Sequence, residues 1–340
     1  MLLCLSFQII AYFCARIYQK ERPLNRIILP TASRLLALLM VFCSLGVSAQ
    51  ETYLYAERDT CSLYLDIFRP DSSAQTTFKG IAKPAVMFVF GGGFSSGRRS
   101  DPAVRGWFQR LNANGYTVVA IDYRLAMKGY RVKKTPRGAL KAMRRFLLSQ
   151  QVGVEDVFSA VSFLAAHPEL NVPADNIVIA GSSAGAIISL SCAWAIANGH
   201  TEGLPQGFAF KGVMSFAGGI ISKSGAPKFP TAPCPLLLFH GTADRVVSYT
   251  HMGFPRHGIW GSNYLAKRLK ENGCNYSIWR IDGLGHEVAA YMDAMWDVEQ
   301  DFLEKNVMQG IPCRVDALVN DPTLPRWDRW RKAKTTDLYK

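Results

Sequence analysis

The sequence predicts a mostly parallel α/β sandwich in three layers, with helices on both faces of one sheet and an antiparallel hairpin at its start. Three observations carry that prediction. Short, nearly continuous apolar runs recur at residues 85–90, 117–121, 177–180, 212–216, 236–239 and 276–281, and strands that read as solid apolar runs are buried on both faces. Segments with the helical apolar period alternate with them at 103–114, 139–149, 154–166, 184–197, 262–271 and 290–302. That alternation is the signature of a covered parallel sheet. Residues 53–68 instead alternate apolar and polar side chains around Arg58-Asp59, as a hairpin with one wet face does.

The chain of 340 residues is 49% apolar and carries no low-complexity run, which excludes a disordered tail protein and allows one large core. Its net charge of +13 points at first to an anionic partner. Part of that charge belongs to the N-terminus. The apolar run 35–46 follows a basic stretch and precedes Val47-Ser48-Ala49, the layout of a secretory signal peptide cleaved after Ala49. Twelve apolar residues are too few for a membrane span, which needs roughly 20. The expected organisation is a signal peptide over 1–49, one α/β domain over 50–306 and an irregular C-terminal extension over 307–340. A secreted or periplasmic protein without stable membrane insertion follows from it.

Export permits disulfides. Removal of Cys4, Cys14 and Cys43 leaves Cys61, Cys192, Cys234, Cys274 and Cys313, so at least one thiol is unpaired, and the pairing of the others stays open. None has the CxxC spacing of a zinc or redox motif. The signal region holds five basic residues and one acid, so the mature chain keeps +9. Nine Lys and Arg without an acid lie between Arg124 and Arg145. No groove-reading module accompanies them, so nucleic acid is not expected as a partner. The basic surface favours at most substrates or matrices with acidic groups.

The chemistry is concentrated at three strand ends. Asn176 to Ala180 runs into Gly181-Ser182-Ser183-Ala184-Gly185 and directly into the apolar helix that follows. A G-x-S-x-G between a buried strand and a helix holds the central serine, Ser183, in a sharp turn, and the flanking glycines avoid a Cβ collision there. A serine needs a base, and the base needs an acid to hold its tautomer. Asp244 follows the apolar run 236–239, and His286 lies in the glycine-rich loop after 276–281. Both sit at the rim where sites assemble in open parallel sheets. His167, His200, His240, His251 and His257 read as structural or exposed, and Asp282 and Asp293 are rival acids that follow no separate strand end.

Gly91-Gly92-Gly93 after residues 85–90 suits backbone donors for an oxyanion, each worth about 3 kcal/mol in a transition state. The same stretch imitates a phosphate loop, but Arg98-Arg99 replaces the Lys-Ser/Thr of that motif, and a dinucleotide fingerprint lacks its closing glycine. No cofactor or metal is expected.

Taken together, GGGF at 91–94, DYRL at 122–125, GSSAG at 181–185, HGTAD at 240–244 and Gly285-His286 resemble the α/β-hydrolase superfamily over about residues 53–305. Within it they resemble bacterial carboxylesterases and lipase-like enzymes related to the hormone-sensitive-lipase group and to feruloyl and acetyl-xylan esterases. The resemblance implies Ser183 as nucleophile, Asp244 as orienting acid, His286 as base then acid, and the N–H groups of Gly92, Gly93 and Ala184 as the oxyanion hole. It assigns Asp122-Tyr123-Arg124-Leu125 a structural role, and Phe90 stands where many relatives have His. The reading is an exported serine carboxylesterase, acting on a small-molecule or carbohydrate-borne ester, with residues 127–151 and 251–260 as walls of its site. A serine peptidase is the nearest rival, although the related peptidases carry a propeller for which this chain has no room. A non-catalytic binding protein of the same fold is the other.

Overall fold

All six apolar runs are strands of a single nine-stranded sheet in the computed structural model, which describes residues 50–133, 135–254 and 256–326. The expected signal segment, residues 1–49, lies outside the described residues. In chain order the sheet strands are β1 (Glu51–Arg58), β2 (Cys61–Phe68), β3 (Ala85–Val89), β4 (Val118–Ile121), β5 (Ile177–Ser182), β6 (Gly212–Phe216), β7 (Leu236–Gly241), β8 (Tyr276–Ile281) and β9 (Arg314–Val319). Their spatial order is β1-β2-β4-β3-β5-β6-β7-β8-β9. The hairpin expected around Arg58-Asp59 is β1 and β2, and β2 alone runs against the others. Strands β3 to β7 are buried at every position, because helices cover both faces.

The helices are α1 (Arg105–Ala113), α2 (Pro136–Ala166), α3 (Ala184–Ala197), α4 (Ser262–Glu271) and α5 (Trp296–Asp301), the last continued by a π turn at Phe302–Met308. Helix α3 is apolar on all sides and almost wholly buried, as a helix without a polar face must be.

Two expectations are corrected. The segments 139–149 and 154–166 are one continuous helix, α2, started by Thr135, whose hydroxyl accepts the Gly138 N–H, with Pro136 at the first helical position. Gly153 does not break it. That residue faces Ile188 of α3, where a Cβ would lie 2.6 Å from Cδ1, so the glycine serves close packing between two helices. The C-terminal extension is also not irregular throughout. Residues 314–319 form β9, which pairs in parallel with β8 from Tyr276↔Arg314 to Ile281↔Val319. Its alternating exposed and half-buried pattern is that of an edge strand with one wet face, too short and polar to stand out in the sequence.

Residues expected as walls fold into order. The hairpin of His251–Phe254 and His257–Gly261 joins Gly219–Ser222 in a small antiparallel sheet. Gln150 of α2 clamps that sheet: its amide donates to the Ile221 carbonyl (2.9 Å) and accepts from the Ile221 N–H (2.7 Å). The five cysteines of the described residues are free thiols, and burial pushes the Cys192 thiol well above its ordinary value.

Under the sheet, Trp107 of α1 packs against Phe88, Phe108 and Phe216 and donates its indole N–H to Glu299 of α5 (2.7 Å). Glu299 is fully buried, and its other oxygen has no partner among the described residues. Burial raises its pKa well above 4.5, and the Trp107 hydrogen bond only partly opposes this. The folded chain therefore holds this proton more tightly than the unfolded chain does. The stability this adds is complete below the unfolded titration and is lost as pH rises toward the folded one, at about 1.4 kcal/mol per unit travelled. Glu299→Gln keeps an acceptor for Trp107 and cannot ionise. Its melting temperature relative to the wild type is expected to climb as pH rises above about 5, and a difference independent of pH would contradict this account.

Candidate active site

The chain passes from β3 to β4 on one side and then crosses to β5 on the other, so the connections diverge between β3 and β5. That divergence opens a crevice at the carboxyl ends of the two strands, the usual place for a ligand in an open α/β sheet. Register aligns the ends: Val89 faces Gly181 across β3 and β5, and Ser182 faces Phe216 across β5 and β6. The 91–93 loop and Ser183 therefore emerge side by side.

Ser183 lies between β5 and α3 at φ 53° and ψ −115°, a sparsely populated conformation for a residue with a side chain. Its N–H donates to the Phe216 carbonyl (2.9 Å). The turn leaves no room for neighbouring side chains. A Cβ on Gly181 would lie 2.3 Å from the Gly185 carbonyl oxygen, and one on Gly185 would lie 1.9 Å from that of Val89. Ser182, the other serine of the motif, turns away and donates to the Ala289 carbonyl (2.6 Å).

The acid and the base come from adjacent strands. Gly241, the last residue of β7, packs on the loop after β8, where a Cβ would meet the Gly285 and Leu284 carbonyl oxygens at 2.3 Å. Two hydrogen bonds join the loops, from Thr242 N–H to Ile281 (3.0 Å) and from Ala243 N–H to Leu284 (2.9 Å). Asp244 and His286 are thus brought together by backbone. His286 Nδ1 lies 2.7 Å from Asp244 Oδ2, and its Nε2 lies 2.8 Å from Ser183 Oγ. A carboxylate at Nδ1 fixes the proton there, which leaves Nε2 free to accept the serine proton. All three side chains are buried.

Both oxygens of Asp244 are satisfied. Oδ1 accepts the N–H groups of Val246 (2.8 Å) and Val247 (3.1 Å), and Oδ2 takes His286. Burial alone would raise this pKa. The positive charge His286 can carry, with hydrogen bonds from His240 and His286, overcomes it and holds the carboxyl well below the usual range.

His240, read from the sequence as structural or exposed, is structural and adjoins the acid. It is fully buried, with Nε2 3.0 Å from the Val247 carbonyl and 3.2 Å from Asp244 Oδ2. Both neighbours are acceptors, so Nε2 carries the proton. Nδ1 meets the Ser262 hydroxyl (2.8 Å), itself 3.1 Å from the Gly218 carbonyl. The other candidates lie elsewhere: Asp293 pairs with Arg110, Asp282 faces Thr242, His167 stacks on Phe163, His200 lies by Trp194 and His251 by Trp260, while His257 is exposed.

The glycine loop is held by its own carbonyl. Gly92, at φ 118°, accepts the N–H groups of Ser95 (3.0 Å) and Ser96 (3.1 Å) through its oxygen, and a Cβ there would lie 2.0 Å from the Ser96 oxygen. Gly93 follows at φ 61°. Phe90 is supported by Tyr123, which stacks on its ring at 4.5 Å and donates its hydroxyl to the Phe90 carbonyl (3.0 Å). The 122–125 stretch is structural: Asp122 binds Arg99 (2.5 Å), and Arg124 binds the buried Asp156 (2.9 Å). Ala184 opens α3, where first-turn N–H groups have no partner within the helix. The arrangement joins a hydroxyl, a base aimed at it, an acid behind the base and a glycine loop beside it.

Residues 86–215 match a family model described as alpha/beta hydrolase fold. No curated protein matches the chain. Among solved structures, the apo form of Thermogutta terrifontis esterase 2 is similar at 20% identity over 76% of this chain and 96% of that one, with a TM-score of 0.53. Its propionate-bound form is similar at 19% identity over 78% and 98%, with a TM-score of 0.54. The form phosphorylated by paraoxon is similar at 19% over 76% and 95%, with a TM-score of 0.53.

Loss of the His240 contact removes one charge-assisted hydrogen bond from Asp244, worth about 2 kcal/mol. His240→Leu is expected to slow labelling of Ser183 by a fluorophosphonate at least about tenfold. His240→Gln, which can place an amide N–H near the Nε2 position, is expected to retain most of the rate. Equal rates for the two variants at equal melting temperatures would remove His240 from the relay.

Proposed function

We propose that this chain, an α/β-hydrolase by fold, hydrolyses carboxylic esters by acyl transfer through Ser183. The single observation that carries the reading is the buried chain of contacts from Ser183 Oγ to His286 Nε2 and from His286 Nδ1 to Asp244. Ser183 attacks the ester carbonyl as His286 takes its proton, and Asp244 stabilises the imidazolium that results. Negative charge on the carbonyl oxygen falls to the N–H groups of Gly92, Gly93 and Ala184. His286 then gives its proton to the departing alcohol, which leaves an acyl-serine. A water deprotonated by His286 attacks that acyl group, the acid departs, and the proton returns to Ser183.

The preferred substrate class is an ester borne on a bulky, water-soluble molecule such as an acylated carbohydrate, met after export. The signal-like segment 1–49 supports export. No helix among the described residues is long and apolar enough to cross a membrane.

Paraoxon or a fluorophosphonate is expected to label the wild type at Ser183, as paraoxon phosphorylates the similar esterase. Ser183→Ala is expected to take no label and to lose at least about 10⁴-fold in ester turnover. Aryl acetates and acetylated or feruloylated xylo-oligosaccharides are expected to turn over well ahead of long-chain esters. An unlabelled wild type would sink the esterase reading, and a preference for long chains would sink the carbohydrate part of it.

A further inference from the structure

We infer that a second cavity on the same rim binds an anionic substituent of the substrate, an inference that rests on the esterase reading above. The cavity holds about 550 Å³, within the range of small-molecule sites, roughly 300–1,000 Å³. Phe90 and Tyr123 form part of its lining, and Lys128 and Arg145 supply cations.

Two cations of this cavity lack an acidic partner. Of the four ionised side chains that line it, the other two belong to ion-pair clusters: Asp122 shares Arg99 (2.5 Å) with the buried Asp66 (2.9 Å), and Arg124 binds Asp156 (2.9 Å) and Glu155 (2.7 Å). Arg145 spends its Nε–H on the Ala126 carbonyl (2.7 Å) and lies over the Tyr130 ring at 5.6 Å. Among the described residues, neither Arg145 nor Lys128 pairs with a carboxylate. The segment that carries both has no acid between Arg124 and Arg145, so these two cations gain no acidic partner from their own stretch of chain. Two cations in a concave, partly apolar wall raise the local concentration of anions more than the same cations on an open surface.

Position ties the cavity to the reaction. It lies beyond the end of β4, and Ser183 lies beyond the end of β5, with β3 between them. The ends of β4 and β5 are two strand spacings apart, about 10 Å. Phe90 is the shared wall. Its ring faces Tyr123 in the cavity, and its carbonyl lies against the turn, where a Cβ on Gly185 would be 2.6 Å from it. On this inference, a substrate with its ester carbonyl at Ser183 extends a carboxylate or phosphate past Phe90 toward these cations.

The test is a comparison of kcat/KM for acetylated xylo-oligosaccharides in three forms: neutral, uronate-bearing and phosphate-bearing. At low salt an anionic form is expected to be preferred at least about tenfold, with the gain carried by KM and reduced as screening increases. Preference for the uronate alone identifies a carboxylate, and for the phosphate alone a phosphate monoester. Lys128→Glu, and separately the Lys128→Glu, Arg145→Glu pair, are expected to abolish that preference. Lys267→Glu on the exposed face of α4 is expected to keep it. No preference for either anion, or one that survives Lys128→Glu in a protein of unchanged melting temperature, overturns the inference. Failure to turn over any of the three forms counts instead against the esterase reading.

Discussion

Backbone strain at one residue dictates the surroundings of the site. Ser183 persists at φ 53° and ψ −115° because a buried strand precedes it, a buried helix follows it, and its N–H is held by Phe216. The strain is tolerated because the rest of the fold over-determines the turn. Every neighbour has been trimmed to fit: Gly181 and Gly185 leave room for backbone oxygens that no Cβ could approach. The same trimming recurs at Gly241 against the histidine loop and at Gly92 inside the glycine loop. The reacting groups are thus positioned by main chain against main chain, which is stiffer than contact through flexible side chains.

This explains which parts of the molecule were legible in the sequence. Strands β3 to β7 stood out because both faces are buried and the apolar run is nearly continuous, and β8 because its run is broken only at Ser277 and Arg280. Ser183, Asp244 and His286 stood out because each follows such a run in a glycine-rich stretch. Strand β9 did not, since an edge strand with one wet face shows only weak alternation over six residues. The two halves of α2 read as separate helices because Val152-Gly153 interrupts the pattern, and nothing local shows that Ile188 fills the space at Gly153. The contact of His240 with the acid was hidden for a related reason. Its partners, Val247, Ser262 and Asp244, are assembled by a tight turn and a distant helix start, so its burial is a tertiary fact.

The basic segment shows the same division between local and tertiary information. As a run of residues, 124–145 reads as a solvated helix face. In the fold its members have different tasks. Arg124 is consumed by Asp156 and pins the 122–125 stretch to α2, Arg145 stays with backbone and Tyr130, and Lys128 keeps its charge toward open space. Which cations are spent and which are left is set by the packing of α2 on the sheet.

Strand β9 carries a consequence for the order in which the protein is assembled. The carbonyl of Val319, its last residue, accepts the Asp282 N–H at the start of the histidine loop (2.8 Å), and Arg280 and Asp316 pair across the same two strands (2.6 Å). Until β9 arrives, β8 is the unprotected edge of the sheet. A chain that stops short of residue 319 therefore leaves the loop that bears His286 without its outer neighbour.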